Sequence, residues 1–385
     1  LANRLKTILL LFSPNNSESF WIDKSEQILE NLITFCRIYN DHYVTFEEIH
    51  KLITDKSYYL SKLCNVRKIF LSGKLNDLEI YNLLSSITFL EKDFFSLDDR
   101  TFNLLKSEIT RITNCFVSDY DILHTFCPSK EKSNFDGFEE VIKKGKIVVL
   151  NLNIGRYKNI SKIIAAYLKL DFQTDVISQL SSCVIRPMVF ISDEYQEYVT
   201  LSDAEFFAQS REAKCINIVC TQSYSSLLNT LNNSANVKVI VQNLVNKLWF
   251  RTDDIFTIED VQKQIGKEDK EKISRTISEN AKESNYNYLF KGFSSIGSNL
   301  SESINTYTQF DYSYDYNFFT QDLESFTCIS FLSDGVKIIK PQKLKMLPYF
   351  VKEEFDENIK KQIFYNFLFY FNYYLFILSY YFIWG

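Results

Sequence analysis

Residues 188–194 read Met188-Val-Phe-Ile-Ser-Asp193-Glu194. The apolar run Met188 to Ile191 is bounded by Pro187, is too short for a helix and lacks polar alternation, so it reads as a strand buried on both faces. Buried strands of that kind belong to parallel sheets covered by helices. In such sheets ligands sit outside the carboxyl ends of the strands, so Asp193 and Glu194 stand where phosphates and a metal are handled. The first acid can hold Mg²⁺, often through water, and the second can orient or deprotonate water attacking a γ-phosphate. Alone, the same pair is also ordinary helix-capping or solubilising chemistry.

The neighbouring sequence adds to the signal. Cys215-Ile-Asn-Ile-Val-Cys-Thr221 is a second buried strand ending in Thr221-Gln222-Ser223. On an adjacent strand, Gln222 comes beside Asp193 and Glu194, where an amide can sense a γ-phosphate or hold the lytic water. Arg211, in Ser210-Arg-Glu212, ends a helix expected over Ser202–Ala213 and is placed to reach a neighbouring subunit's nucleotide. Singly, Gln222 also suits a helix start and Arg211 a surface ion pair. Further strands are expected at Lys146–Leu152, after Gly145, and at Lys247–Arg251. Ile160–Leu180 carries Ile163, Ile164, Tyr167, Leu168, Phe172 and Val176 on one helical face. Strands alternating with helices indicate an α/β domain whose parallel sheet is covered on both faces.

Upstream, residues 20–128 form an all-α region. Ile28, Leu29, Leu32, Ile33, Cys36 and Tyr39, and later Leu104, Leu105, Ile109, Ile112 and Phe116, recur at helical spacing. Breaks are expected near Asn40-Asp41, Ser72-Gly73 and Ser96–Asp99, and a polar linker at Ser129–Asn134 follows Cys127-Pro128. Residues 1–19 form a separate, incomplete opening segment, and 129–270 form the α/β core. Within that core Thr257-Ile-Glu-Asp260 reads as the cap of a helix that Gly266 closes. Residues 271–345 continue the core through a Ser/Asn/Tyr-rich stretch expected to be partly flexible, then a strand pair at Thr327–Leu332 and Val336–Ile339. Residues 346–385 are a tail whose segment 363–385 carries no charge. About 20 helical residues cross a bilayer, so this segment reads as a membrane anchor, a buried helix or a frame-shifted end.

Composition narrows the function. With 385 residues, 46% of them apolar, the chain can bury a sizeable core. A formal charge of −5 excludes a broad basic face that coats nucleic acid, so any DNA contact is local. The eight cysteines form no CxxC pair, and His42, His50 and His124 are scattered. They read as buried thiols of a reducing cytoplasm, with no zinc site. The chain opens Leu1-Ala-Asn-Arg4 with no Met and no signal peptide, which reads as an incomplete amino terminus.

Taken together, Gly145–Leu152, Phe190-Ile-Ser-Asp-Glu-Tyr-Gln196, Ser210-Arg-Glu-Ala213, Thr221-Gln-Ser223 with Leu227-Leu228, Gln242-Asn243 and Phe250-Arg-Thr-Asp253 resemble the carboxy-terminal part of the TraG/TraD-like type IV coupling proteins. These are hexameric, membrane-associated RecA-like ATPases related to HerA and FtsK. The resemblance runs over about residues 145–270 and implies a partial RecA-like P-loop fold with an all-α insertion domain. It implies Asp193 as the Mg²⁺ acid of a Walker B motif, Glu194 as the catalytic carboxylate, Arg211 as a trans-acting finger and Gln222 as the sensor. It further implies ATP and Mg²⁺ as cofactors of the full-length parent, single-stranded DNA or relaxosome proteins and the type IV secretion machinery as partners, and the cytoplasmic face of the bacterial inner membrane as location. One departure is plain. A phosphate loop needs G-x-x-x-x-G-K-S/T, yet Lys74, Lys146 and Lys267, each after a Gly, precede Leu75, Ile147 and Glu268. The loop is therefore expected upstream of Leu1, and these residues alone are expected neither to hold ATP tightly nor to hydrolyse it. Two alternatives stand: a different FtsK/HerA-like translocase, and a non-enzymatic module recruiting relaxosome proteins or DNA.

Overall fold

The computed structural model describes residues 2–12, 19–182, 185–280, 285–287, 292–294, 299–333 and 335–346. They fall into two units, Leu1–Val245 and Asn246–Gly385. The first begins with helices: α1 (Ala2–Phe12), α2 (Ser19–Tyr39), α3 (Phe46–Thr54), α4 (Lys56–Leu71), α5 (Asp77–Thr88), α6 (Asp99–Val117) and α7 (Tyr120–Phe126). Their starts are written in side chains. The Thr45 hydroxyl accepts the Glu48 N–H at 3.2 Å, and Asn76 with Glu79 forms a reciprocal capping box. Asp55 closes α3 and opens α4, its carboxylate accepting the N–H groups of Ser57 and Tyr58 at 2.9 and 3.2 Å.

Beyond α7 the chain forms α8 (Phe138–Lys144), α9 (Ile154–Tyr157) and α10 (Asn159–Ser178). Gly145 ends α8 at φ 65°, and a Cβ there would meet the Arg186 guanidinium. Ile163, Ile164 and Leu170 of α10 belong to the same apolar core as Leu32, Ile49 and Ile109, so the helical region and the start of the α/β region are packed as one body. The strand expected at Lys146–Leu152 does not form. Ile147 and Val149 are 92% and 83% exposed, and a β-branched run with no ladder partner among the described residues has nothing to pair with.

Two strands do form, β1 (Met188–Ser192) and β2 (Cys215–Val219), paired in parallel from Met188↔Cys215 to Ser192↔Val219. The helices α11 (Asp203–Gln209), α12 (Tyr224–Leu231) and α13 (Ser234–Asn243) complete the unit. One sheet face is covered: Phe190 stacks on Phe172 of α10 with ring centroids 5.6 Å apart. The other is open, with Val189, Ile191, Ile216 and Ile218 exposed by 55%, 70%, 53% and 46%. The expectation of cover on both faces is thus corrected to cover on one.

In the second unit β3 (Lys247–Trp249) pairs antiparallel with β8 (Thr327–Ser333), and β8 with β9 (Ile338–Lys345), rather than extending a parallel sheet. Trp249, Ile258, Val261, Phe319 and Ile329 form its core, Ile258 and Val261 coming from α14 (Ile255–Ile265). That helix is capped by Asp254, whose carboxylate accepts the Thr257 N–H at 3.0 Å, so the cap lies three residues before the one expected. The stretch expected to be partly flexible contains a long ribbon, β4 (Lys267–Asn280) against β7 (Asn299–Tyr312), with the short pair β5 (Asn285–Asn287) and β6 (Gly292–Ser294) between them in sequence. Among the described residues no helix is long and apolar enough to cross a membrane. Segment 363–385 and Asp334 lie outside the described residues.

Candidate functional site

The parallel ladder continues past both strands. The Cys220 N–H donates to the Ser192 carbonyl at 2.8 Å and the Tyr195 N–H to the Cys220 carbonyl at 2.9 Å. Between these bonds the chain turns sharply at Glu194, which adopts φ 47°, ψ 44°. That left-handed conformation costs an L-residue on the order of 1–2 kcal/mol and persists only where surroundings enforce it. Here they do. The Glu194 N–H donates to Asp193 Oδ1 at 3.0 Å, and the Tyr198 hydroxyl lies 2.9 Å from Ser192 Oγ and donates to the Asp193 carbonyl. Burial pushes the Tyr198 phenol up, and the charges of Asp193 and Glu194 push it further, so it stays a donor.

Gln222, delivered by the end of β2, donates from Nε2 to Glu194 Oε2 at 3.1 Å. The Gln196 amide donates to the same oxygen, while its Oε1 accepts from the Thr221 hydroxyl at 2.9 Å. Ser223 then caps α12 by accepting the Ser226 N–H at 3.1 Å. The structure therefore brings Asp193, Glu194 and Gln222 to one sheet edge. Arg211 is not there. It lies exposed before the amino end of β2, so the strand separates it from the acid pair.

Gln196, Tyr198 and the buried pair Lys169 and Asp203 behind the turn have functional placements to which the sequence alone does not point. Lys169 and Gln173 interrupt the buried stripe of α10, and that misplaced polarity was their one visible signal. The cysteines also differ from expectation: Cys36, Cys127, Cys215 and Cys328 are buried, but Cys64 and Cys220 are exposed. Asp193 presents an exposed carboxylate with Glu194 beside it. Among the described residues no cluster of three or more His, Cys, Asp or Glu side chains could hold a metal unaided. The donor set fits a Mg²⁺ that brings phosphates and waters as its other ligands, because that ion is commonly held by one or two carboxylates plus substrate phosphates.

Comparison with known proteins bears on the fold. A family described as the TraM recognition site of TraD and TraG matches residues 187–305. The bacterial conjugative coupling protein TrwB, in its unbound deltaN70 form, superposes with TM-score 0.52 at 11% identity over 90% of this chain and 68% of that chain. The plasmid coupling protein TrwB in complex with ADP and Mg²⁺ gives TM-score 0.51 at 11% identity over 90% and 67%. The complex with a non-hydrolysable GTP analogue gives 0.50 at 11% identity over 90% and 70%. These likenesses show the fold, a partial RecA-like α/β sheet with an all-α insertion. No curated protein matches the chain.

Proposed function

We propose that this chain, whose residues 187–305 match the model of the TraM recognition site of TraD and TraG and whose fold is similar to that of the coupling protein TrwB, serves in an ATP-driven, hexameric motor transferring DNA in conjugation or type IV secretion. The observation that carries the reading is the Gln222 amide 3.1 Å from the Glu194 carboxylate at the carboxyl edge of a parallel strand pair. Both amides converge on Oε2 of Glu194, so Oε1 is left to take the proton of attacking water. Asp193 would hold the Mg²⁺. Gln222 reports the γ-phosphate to Glu194, and Arg211, exposed away from the acid pair, serves a neighbouring subunit's site in trans. Bound Mg²⁺ with ATP supplies the electrophilic phosphorus and neutralises its oxygens.

The 385 residues contain no G-x-x-x-x-G-K-S/T string, and we assign the phosphate loop, with the membrane-associated part, to polypeptide outside them. The open face of β1 and β2 supports this, since isolated parallel pairs uncovered on one side are not a stable architecture. In a polypeptide that includes the loop, Glu194→Gln is expected to keep ATP binding and lower turnover about 10²- to 10⁴-fold. Unchanged hydrolysis removes Glu194 from this role. Arg211→Ala is expected to be rescued by wild-type subunits in mixed hexamers, and failure of rescue makes it structural.

A second reading is a non-enzymatic recruiting module for relaxosome proteins, favoured by the family description and by the missing loop string. Capture of a TraM-like protein by the chain, undiminished in Glu194→Gln and without nucleotide, supports it.

A further inference from the structure

Asp203, at the start of α11, is completely buried, and Lys169 of α10 is 4% exposed. They form an ion pair, and all but one of their remaining hydrogen bonds go to the segment that follows Glu194, the other going to Gln173 of α10. Asp203 Oδ2 accepts the Tyr195 hydroxyl at 2.5 Å and the Thr200 N–H at 2.9 Å. Its Oδ1 accepts the Gln173 amide at 2.9 Å and the Thr200 hydroxyl at 3.0 Å. The Lys169 ammonium donates in addition to the Tyr198 carbonyl at 2.8 Å and to Thr200 Oγ1 at 3.2 Å. Tyr195, itself fully buried, thus hangs by its backbone from Cys220 and by its ring from Asp203. Tyr198 ties its carbonyl to Lys169 and its hydroxyl to Asp193.

Such a pair is poorly explained by stability. Burying both charges incurs a desolvation cost that the ion pair only partly offsets, and apolar replacements of similar volume are often neutral or stabilising. What apolar side chains cannot do is fix the direction of six hydrogen bonds. We infer that Lys169 and Asp203 are positioning residues: their pair holds the turn Asp193–Tyr198, and so sets where the Glu194 carboxylate points. The inference rests on the motor reading of Glu194. Burial drives the Lys169 ammonium pKa down against the pull of Asp203, and drives the Tyr195 phenol well up, so that phenol remains a donor to Asp203.

The test is amide hydrogen exchange on the 385-residue chain, comparing wild type with Lys169→Met/Asp203→Leu. Exchange at Tyr195 and Glu197 is expected to accelerate at least tenfold while Leu32 in α2 is unchanged. Unchanged exchange at Tyr195 and Glu197, or equal acceleration at Leu32, overturns the inference. Should the double variant fail to fold, Tyr195→Phe removes one bond to Asp203 and is expected to accelerate exchange at Glu197 severalfold, no change again overturning it. In the polypeptide that includes the phosphate loop, the folded variant is expected to lower kcat at least tenfold at constant KM. A purely structural pair leaves kcat per folded molecule untouched, and that result also overturns the inference. The exchange measurement needs no nucleotide, so its failure strikes the pair alone, whereas Glu194→Gln decides the motor reading.

Discussion

Glu194 combines an uncommon backbone conformation with a carboxylate that two amides address. The conformation makes a prediction independent of any activity. Asn tolerates left-handed backbone, whereas a β-branched residue there is a steric outlier. In urea denaturation Glu194→Asn is expected to stay within about 0.5 kcal/mol of wild type, and Glu194→Val to lose about 1–2 kcal/mol. Equal stabilities would show that the turn relaxes and stores no strain. The convergence of Glu194 and Gln222 is legible in the sequence because each lies within three residues of the end of an apolar strand, and strand ends are where such side chains gather. Gln196 and Thr221 were legible as parts of motifs but not as partners, since a bond across 25 positions depends on how two loops meet. Lys169 and Asp203 were not legible as a pair for the same reason, 34 positions apart on two helices.

At the scale of elements, one carboxylate joins three helices. Glu48 on α3 accepts the Tyr39 hydroxyl of α2 at 2.5 Å and the Tyr58 hydroxyl of α4 at 2.7 Å, and pairs with Lys62 of α4 at 3.4 Å. Burial is the largest influence and raises its pKa, yet the two phenols and Lys62 together outweigh it and hold the carboxyl below its ordinary 4.5. A carboxyl depressed in the folded state stabilises fully above 4.5, and that stabilisation is lost as pH falls through the lower folded value. Glu48→Gln is therefore expected to lose about 1–3 kcal/mol at pH 7, the gap to wild type closing in acid. A pH-independent gap would assign the loss to packing. Helix ends here were legible because caps and breaks are local: Tyr39, Leu71 and Asp99 bound helices where turn residues stood. Strands fared otherwise. Lys146–Leu152 has strand composition and no partner among the described residues, while β4 has a partner and no strand composition, its opening Lys267-Glu-Asp-Lys-Glu-Lys272 showing no period of two. Its cross-strand match, as in Lys272 to Asp311 at 3.0 Å, is a property of two distant segments at once.

For the whole molecule, the decisive fact is a parallel pair with one dry face and one wet one. Parallel strands are apolar on both sides because both sides are ordinarily covered, and the sequence of β1 and β2 keeps that composition although Val189, Ile191, Ile216 and Ile218 are exposed. Adjacent partners Ile191↔Ile218 and Val189↔Ile216 make these side chains one continuous patch beside the candidate site. An uncovered β-branched patch promotes association of the isolated chain. Ile191→Lys/Ile218→Lys should then raise the solubility of the 385-residue chain markedly and change its unfolding free energy by no more than about 0.5 kcal/mol per site, as for surface positions. In a polypeptide that includes the phosphate loop, the same pair of charges should be costly, about 2 kcal/mol or more, because a covering layer would bury them. Denaturation of both forms decides the matter: a large loss in the shorter chain means that the face is already covered from within, and no loss in the longer one means that nothing is laid against it.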